Sequence, residues 1–486
     1  MRPAPPLLAA FLPIALLGGC AEKAAPTVDF DVVGQEADPF DNGARLNSAA
    51  QLVRAATAEG LVTLDEQGRV IPAVADRWIV TDDGLSYIFR LRDGLWRDGT
   101  PLTGETARTA LLRAIRDLAG TSLGRDLDGV DEVRAMAGRV LEIRLAHPVP
   151  DLLQLLAQPE FGLRRSGQGD GPMDLKRQGN LALLTPIPPG VLGLPQSRDW
   201  RKTVRSVHLR GLPATVAVRR FASGDVDLVL GGRFENYGTA VQAAGLSRRF
   251  LKVDPVTGLF GLLVARPQGV LANAELRAAL SLSIDRDALA SALAIDGFST
   301  THALPGTGDA PDASRWTGLG ADRGRQEAGA IVARWAVRHG PSAALTIALP
   351  EGAGADVLFA RLAADFQALG VPLRRVGGGG PADLQLIDMV ARYPSPGWYL
   401  NQLSCAAKRG LCDAGADGLA EAARISPDPA RRAELQRQAL VRLDQAQVFL
   451  PLGNPVRWSL VRDTVQGFTP NPAGIHPLMA MAVRGD

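Results

Sequence analysis

Cysteine is scarce: the chain of 486 residues has three, Cys20, Cys405 and Cys412. That excludes a scaffold built on disulfides. The length does not need one, because at about 150 residues per domain it accommodates roughly three domains or two large lobes. Net charge is nearly absent, since 53 Lys+Arg against 51 Asp+Glu leave +2. With no global basic field to hold a phosphate backbone, nucleic acid is not an expected partner. Histidine is sparse too. The five histidines (His147, His208, His302, His339 and His476) are scattered, and none has a ligand partner at helical spacing. No metal and no cofactor is therefore expected. A Walker A loop, a GxSxG elbow and an HExxH pair are all missing, so no catalytic set is expected either. The pair Gly352-Ala353-Gly354 imitates a dinucleotide turn, but Val357 stands where the third glycine belongs. No run reaches the about 18 uninterrupted apolar residues of a membrane-spanning helix. What remains is ordinary for a globular chain: 46% apolar and 21% charged residues.

The N-terminus carries the first positive signal. Arg2 precedes an apolar stretch at 7–17, too short to span a bilayer as a helix. The stretch ends in Leu17-Gly18-Gly19-Cys20, which resembles a bacterial lipobox, with Cys20 as the lipidated residue. The alternative is an ordinary secretory leader with an incidental cysteine. Export puts Cys405 and Cys412 in an oxidising compartment, where they are expected to close a local disulfide loop. The rival, a metal site, has no histidine nearby and no CxxC spacing.

Strand and helix periods alternate along the rest. Residues 46–56 repeat at helical spacing. In 86–92, Tyr87, Phe89 and Leu91 share one face of a strand, and 140–145 alternates in the same way. A helical stripe runs through 103–119. Residues 162–198 are rich in Gly, Pro and polar residues and are expected to be an irregular crossing segment. Further strands are expected at 204–210, 259–266, 344–350 and 371–376. Helices are expected after Asn273, at 355–369 and at 430–448. This alternation predicts α/β layers.

Several of these segments together resemble one family. They are Ala58-Glu59-Gly60-Leu61-Val62, then IPAVADRWIVTDDGLSYIFRLRDGLWRDGTPLT at 71–103, FASGDVDLVLGG at 221–232, ELRAALSLSIDRDALASALAIDGFST at 275–300 and LPLGNPVRWSLVRDTVQGF at 450–468. They are similar to the bacterial extracytoplasmic solute-binding proteins of family 5, the dipeptide/oligopeptide/nickel group of ABC transporters. The resemblance implies a type II periplasmic-binding-protein fold, with two α/β lobes and an extra domain inserted in the first. The expected boundaries are a leader at 1–19, a first lobe at 20–60 plus 190–265 plus 460–486, an inserted domain at 61–189 and a second lobe at 266–459. It also implies a monomeric, periplasmic, lipid-anchored receptor that hydrolyses nothing. Such a receptor closes on a peptide-like solute and docks on a membrane permease with ATPase subunits. The alternatives are a non-peptide solute (nickel chelate, opine, sugar or anion) and an envelope-sensing lipoprotein that no longer transports.

The same resemblance points to candidate contacts. Peptide-binding relatives carry an acidic residue for the peptide ammonium in a segment that here reads LIDMVARYPSPGWYLNQLSC, 386–405. Asp388 lies early, and the acidic cluster is replaced by Tyr393-Pro394-Ser395-Pro396-Gly397. Arg392, Tyr393, Trp398 and Tyr399 are the expected ligand contacts, because Arg holds carboxylate or phosphate and rigid aromatics stack at low entropy cost. For Trp398, packing against the 405–412 loop is the alternative. Arg233 and Phe234 follow a Gly-Gly turn and are expected at the cleft, and Arg457 and Trp458, in the C-terminal return, are expected as further contacts. Asp38 is expected to cap a turn, and Asp285 with Arg286 to form an ion pair at a helix start. Trp78, Tyr87, Phe89 and Trp96 are expected to be core.

Overall fold

The computed structural model describes residues 26–243, 248–305 and 321–484. Its layers rest on three main sheets. The first has seven strands, in the order Met173–Gln178, Leu181–Pro186, Ser206–Leu212, Thr27–Val33, Leu228–Gly232, Trp458–Val461 and Leu251–Val253. The second has five: Leu373–Gly377, Leu345–Leu349, Leu384–Val390, Gly258–Val264 and Phe449–Gly453. The third, of four antiparallel strands, holds Ala75–Val80, Ser86–Leu91, Val140–Leu145 and Val130–Ala135.

Local sequence explains most of these elements. Ser48–Thr57 is a helix because Ala49, Leu52, Val53 and Ala56 bury one stripe, and the Asn47 side chain accepts from the Ala50 amide at 2.9 Å. Gly104–Asp117 starts in the same way on Thr103. Gly258–Val264 is buried at every position, as a central strand covered on both faces requires. Tyr87, Phe89 and Leu91 point into one core with Trp96, and Trp78 packs at its margin. Gly354 opens the helix Ala353–Gln367. A Cβ there would lie 2.3 Å from the Phe234 carbonyl oxygen. The glycine pair thus serves close packing, which accounts for it without a dinucleotide.

Three expectations change. Residues 162–198 are not wholly irregular, because Met173–Gln178 and Leu181–Pro186 form a hairpin at the edge of the seven-stranded sheet. The outer strand buries only Met173, so it lacks the alternation that marks a strand in sequence. Sheet membership also redraws the boundaries. The hairpin pairs with the first lobe rather than with the four-stranded sheet, and Gly258–Val264 belongs to the second lobe. Pairing partners far apart in sequence leave no trace in local periodicity. Finally, Arg286 is not paired with Asp285. It is buried and donates to the carbonyl oxygens of Pro451, Ser281 and Thr301. Asp285 instead caps its helix through the Ala288 amide and lies 3.4 Å from Arg325.

Two segments cross between the first two sheets. One is Asp254-Pro255-Val256-Thr257, which leads from Leu251–Val253 into Gly258–Val264. The other is Asn454-Pro455-Val456-Arg457, which leads from Phe449–Gly453 back to Trp458–Val461. They run side by side, with the Asp254 amide donating to the Arg457 carbonyl at 2.9 Å. Each has a proline, whose fixed φ and missing N–H suit a short connector that leaves one sheet and enters another. Asp254 is tied further, accepting from the Asn471 amide at 3.0 Å and lying 3.2 Å from His476.

Candidate functional site

The crossings form the floor of a cleft whose walls come from both lobes. One cavity, of about 230 Å³, lies between Asn47, Gln51 and Arg233 on one side and 388–392 on the other. A second, of about 710 Å³, shares Leu46, Met389, Val390 and Arg392 with it and extends under the 405–412 loop. The first follows directly from the fold. Helix Ser48–Thr57 and the turn after Leu228–Gly232 present their ends there, and strand Leu384–Val390 runs into it from the other lobe.

Two charged clusters bridge the walls. Arg392 donates to Glu160 at 2.8 and 3.0 Å and to the Gln158 side chain at 2.8 Å. The Gln158 amide returns a bond to the Arg392 carbonyl at 3.3 Å. Burial works to raise the Glu160 carboxyl, but the charge and hydrogen bonds of Arg392 outweigh it and hold the group below its ordinary value. The second cluster centres on Asp388. Arg457 reaches both of its oxygens, at 2.8 and 3.1 Å, and Arg233 stands 3.8 Å away. Close by, burial and then the charge of Asp388 raise the carboxyl of Glu235.

The expected contacts fall in two groups. Arg233, Arg392 and Arg457 line the cleft, each engaged with a carboxylate. Phe234 does not reach it: the ring is buried edge-on against Phe260, with centroids 4.9 Å apart. Trp458 is also fully buried. Its indole N–H donates to the Arg233 carbonyl at 2.9 Å and to Asn236 at 3.0 Å, so it holds the Arg233 turn from behind. Phe234 thus packs inward from the turn that carries Arg233, whereas Trp458, though fully buried, still forms part of the wall of the smaller cavity. Tyr393 is buried against the inserted domain, its hydroxyl donating to Asp126 at 2.6 Å. Trp398 and Tyr399 are buried too and meet edge to face at 4.9 Å. Trp398 forms part of the wall of the larger cavity. Asp38 caps its turn by accepting from the Gln35 amide at 2.8 Å. Cys405 and Cys412 are joined as a disulfide, with Cα atoms 5.1 Å apart. Cys20 lies outside the described residues.

Other cleft residues carried little signal. Gln158 and Glu160 are, with Gln154, polar breaks in the mostly apolar run at 152–163, and these breaks are the available clue. Asp126 had none. Its side chain accepts from Tyr393 and from Asn401, while burial raises its carboxyl from 3.8 to about 6. A carboxyl whose pKa is raised by folding stabilises the fold below its unfolded value and loses that contribution as pH rises through the folded one. Asp126→Asn, which keeps an acceptor for Tyr393, should therefore gain on the wild type by about 2 kcal/mol between pH 4 and pH 7. Urea unfolding at the two pH values measures the difference, and parallel profiles would exclude it.

The comparisons agree with this architecture. Residues 69–177 match the model of the bacterial extracellular solute-binding proteins, family 5, middle segment. A probable deoxycholate-binding periplasmic protein of Escherichia coli (strain K12) is 39% identical over 132 residues, which are 23% of this chain and 24% of that protein. The chain thus aligns with about a quarter of that relative's length. A probable di/tripeptide-binding protein of Pseudomonas aeruginosa is 25% identical, and its alignment covers 99% of this chain and 98% of that one. Among solved structures, the murein tripeptide binding protein of Escherichia coli superposes with a TM-score of 0.78 at 19% identity, covering 95% of this chain and 99% of that one. An OppA of Haemophilus influenzae, in complex with RPPGFSPFR, gives 0.77 at 16% identity, covering 95% and 99%. At those identities the shared property is the fold.

Proposed function

The chain belongs to the family-5 bacterial extracellular solute-binding proteins, and from that we propose that it is the periplasmic receptor of an ABC importer, binding a peptide or a related small solute between its lobes. The family is one of non-catalytic binding proteins. One observation carries the reading: two paired, proline-containing crossings lie beneath a cavity whose walls come from both lobes. Connectors so few and so short let the lobes rotate against each other while each sheet stays rigid, the hinge mode of closure around a ligand. Solute contacting both walls favours the closed state by its differential affinity, and the closed state is what a permease can recognise. Delivery then requires a membrane permease with ATPase subunits. Cys20 is assigned the role of lipid anchor, on the strength of Leu17-Gly18-Gly19-Cys20. Metabolic labelling with a radioactive fatty acid tests this, since label that persists in Cys20→Ser would remove the anchor and leave the receptor.

A thermal-shift screen of peptides, amino-acid conjugates, sugars and metal chelates tests the function. A ligand at about 100 times its dissociation constant stabilises the fold by about 2.7 kcal/mol. At least one class should raise the melting temperature saturably. No shift with any of them would contradict the receptor reading.

A further inference from the structure

The larger cavity gathers cations that form no ion pair among the described residues. Arg45 comes from the first lobe, just before helix Ser48–Thr57. Arg125 ends the short helix Ser122–Arg125 of the inserted domain. Arg409 comes from the disulfide-closed loop of the second lobe, with Lys408 beside it. Two carboxylates share the cavity, Glu160 and Asp126. Glu160 is taken up by Arg392, and Asp126 accepts from Tyr393 and Asn401 and feels the charge of Arg125 without pairing with it. Arg125 and Arg409 instead donate to neutral amides, Asn401 at 3.0 Å and Gln402 at 2.9 Å. Among the described residues, none of Arg45, Arg125 and Arg409 forms an ion pair. Burial lowers the pKa of Arg409, and the charges of Arg125 and Arg45 lower it further.

Like charges held together in excess of their carboxylates are unfavourable unless something negative joins them. A further donor faces the same want. Trp398, in the wall of this cavity and fully buried, has an indole N–H with no acceptor. We propose that the cavity is an anion subsite, in which Arg45, Arg125 and Arg409 jointly hold a carboxylate or phosphate group of the solute. Guanidinium groups suit either anion, because their planar fork pairs with two oxygens at once. The inference rests on the receptor reading and deepens it. Because the three arginines come from three different parts of the chain, the anion itself draws the lobes and the inserted domain together. The disulfide fixes the loop that carries Arg409.

The test is titration of the full chain at constant ionic strength, followed by thermal shift. The probes are citrate, glutarate and glycerol 3-phosphate, with glutaramide and glycerol as uncharged counterparts. At least one anion should bind saturably while its counterpart does not, and the carboxylate and phosphate arms tell which group is held. Arg409→Gln and Arg45→Gln should each weaken binding about tenfold, the loss of one charge-assisted pair, with Arg409→Lys intermediate. Arg45 is exposed, so its variant keeps the test independent of folding. Counterparts that bind as well as the acids, anions that bind both glutamine variants as they bind wild type, or no saturable anion at all would overturn the proposal. If neutral peptides or sugars still bind then, the receptor stands without an anion subsite; if nothing binds, both readings fall.

Discussion

Arg92→Met should destabilise the protein by about 4 kcal/mol, because it leaves two buried carboxylates without their cation. Arg92 is 4% exposed. It donates to Glu59 at 3.2 Å, to the Ala73 carbonyl at 3.1 Å, and to Asp170 through both the side chain at 2.8 Å and the carbonyl at 3.1 Å. One guanidinium thus ties the end of the first-lobe helical region, the four-stranded sheet and the segment leading to the edge hairpin. Burial already raises both carboxyls despite the charge of Arg92. Without it they rise further, and a raised carboxyl stabilises the fold in acid and loses that contribution as pH rises. The deficit should therefore be smallest near pH 4 and full near neutrality. Arg92→Lys should recover only part, since an ammonium lacks the fork that reaches both carboxylates. Chemical unfolding at the two pH values checks this. A loss under about 1 kcal/mol at neutral pH would mean that solvent reaches the cluster.

Asp388→Ala should have the second largest effect, about 3 kcal/mol, and should act at the hinge. Arg457, at the end of the second crossing, is 12% exposed and spends its charge on Asp388. Removing the carboxylate leaves Arg457 and Arg233 facing each other across the cleft floor. Glu235 limits the damage, because its raised carboxyl loses the repulsion of Asp388 and ionises more readily. Asp388→Asn keeps an acceptor but not the charge and should fall between wild type and alanine. The readout is chemical unfolding together with affinity for whichever probe the thermal screen finds. Unchanged stability in Asp388→Ala would contradict the view that this pair fixes the crossing.

How far the sequence displayed all this depends on range. Tyr87, Phe89 and Leu91 were readable as one strand face because alternation is a local property, and the helix at Ser48–Thr57 was readable for the same reason. The family resemblance supplied the lobes. It did not supply their borders, because the outer strand Met173–Gln178 is almost wholly exposed and shows no pattern. In the cleft, Arg233, Arg392 and Arg457 line a cavity, while of the aromatics Phe234 packs away from it against Phe260. Arg392, Arg457 and Trp458 all line the smaller cavity, Trp458 with its ring fully buried. Glu160 and Asp388, the partners of Arg392 and Arg457, lie 232 and 69 residues away in sequence, beyond what any spacing reveals. Arg409 was hidden differently. In sequence the loop that carries it is marked only by its cysteines, and only the folded chain brings it to Arg45 and Arg125.

Hydrogen–deuterium exchange with and without the strongest ligand from the thermal screen tests the central claim most directly. A solute held between the lobes should slow exchange together at 44–52, 120–126, 386–392 and 405–412, which come from both lobes and the inserted domain and line the two joined cavities. Saturable binding with protection confined to one lobe, or to residues outside these four segments, would contradict it.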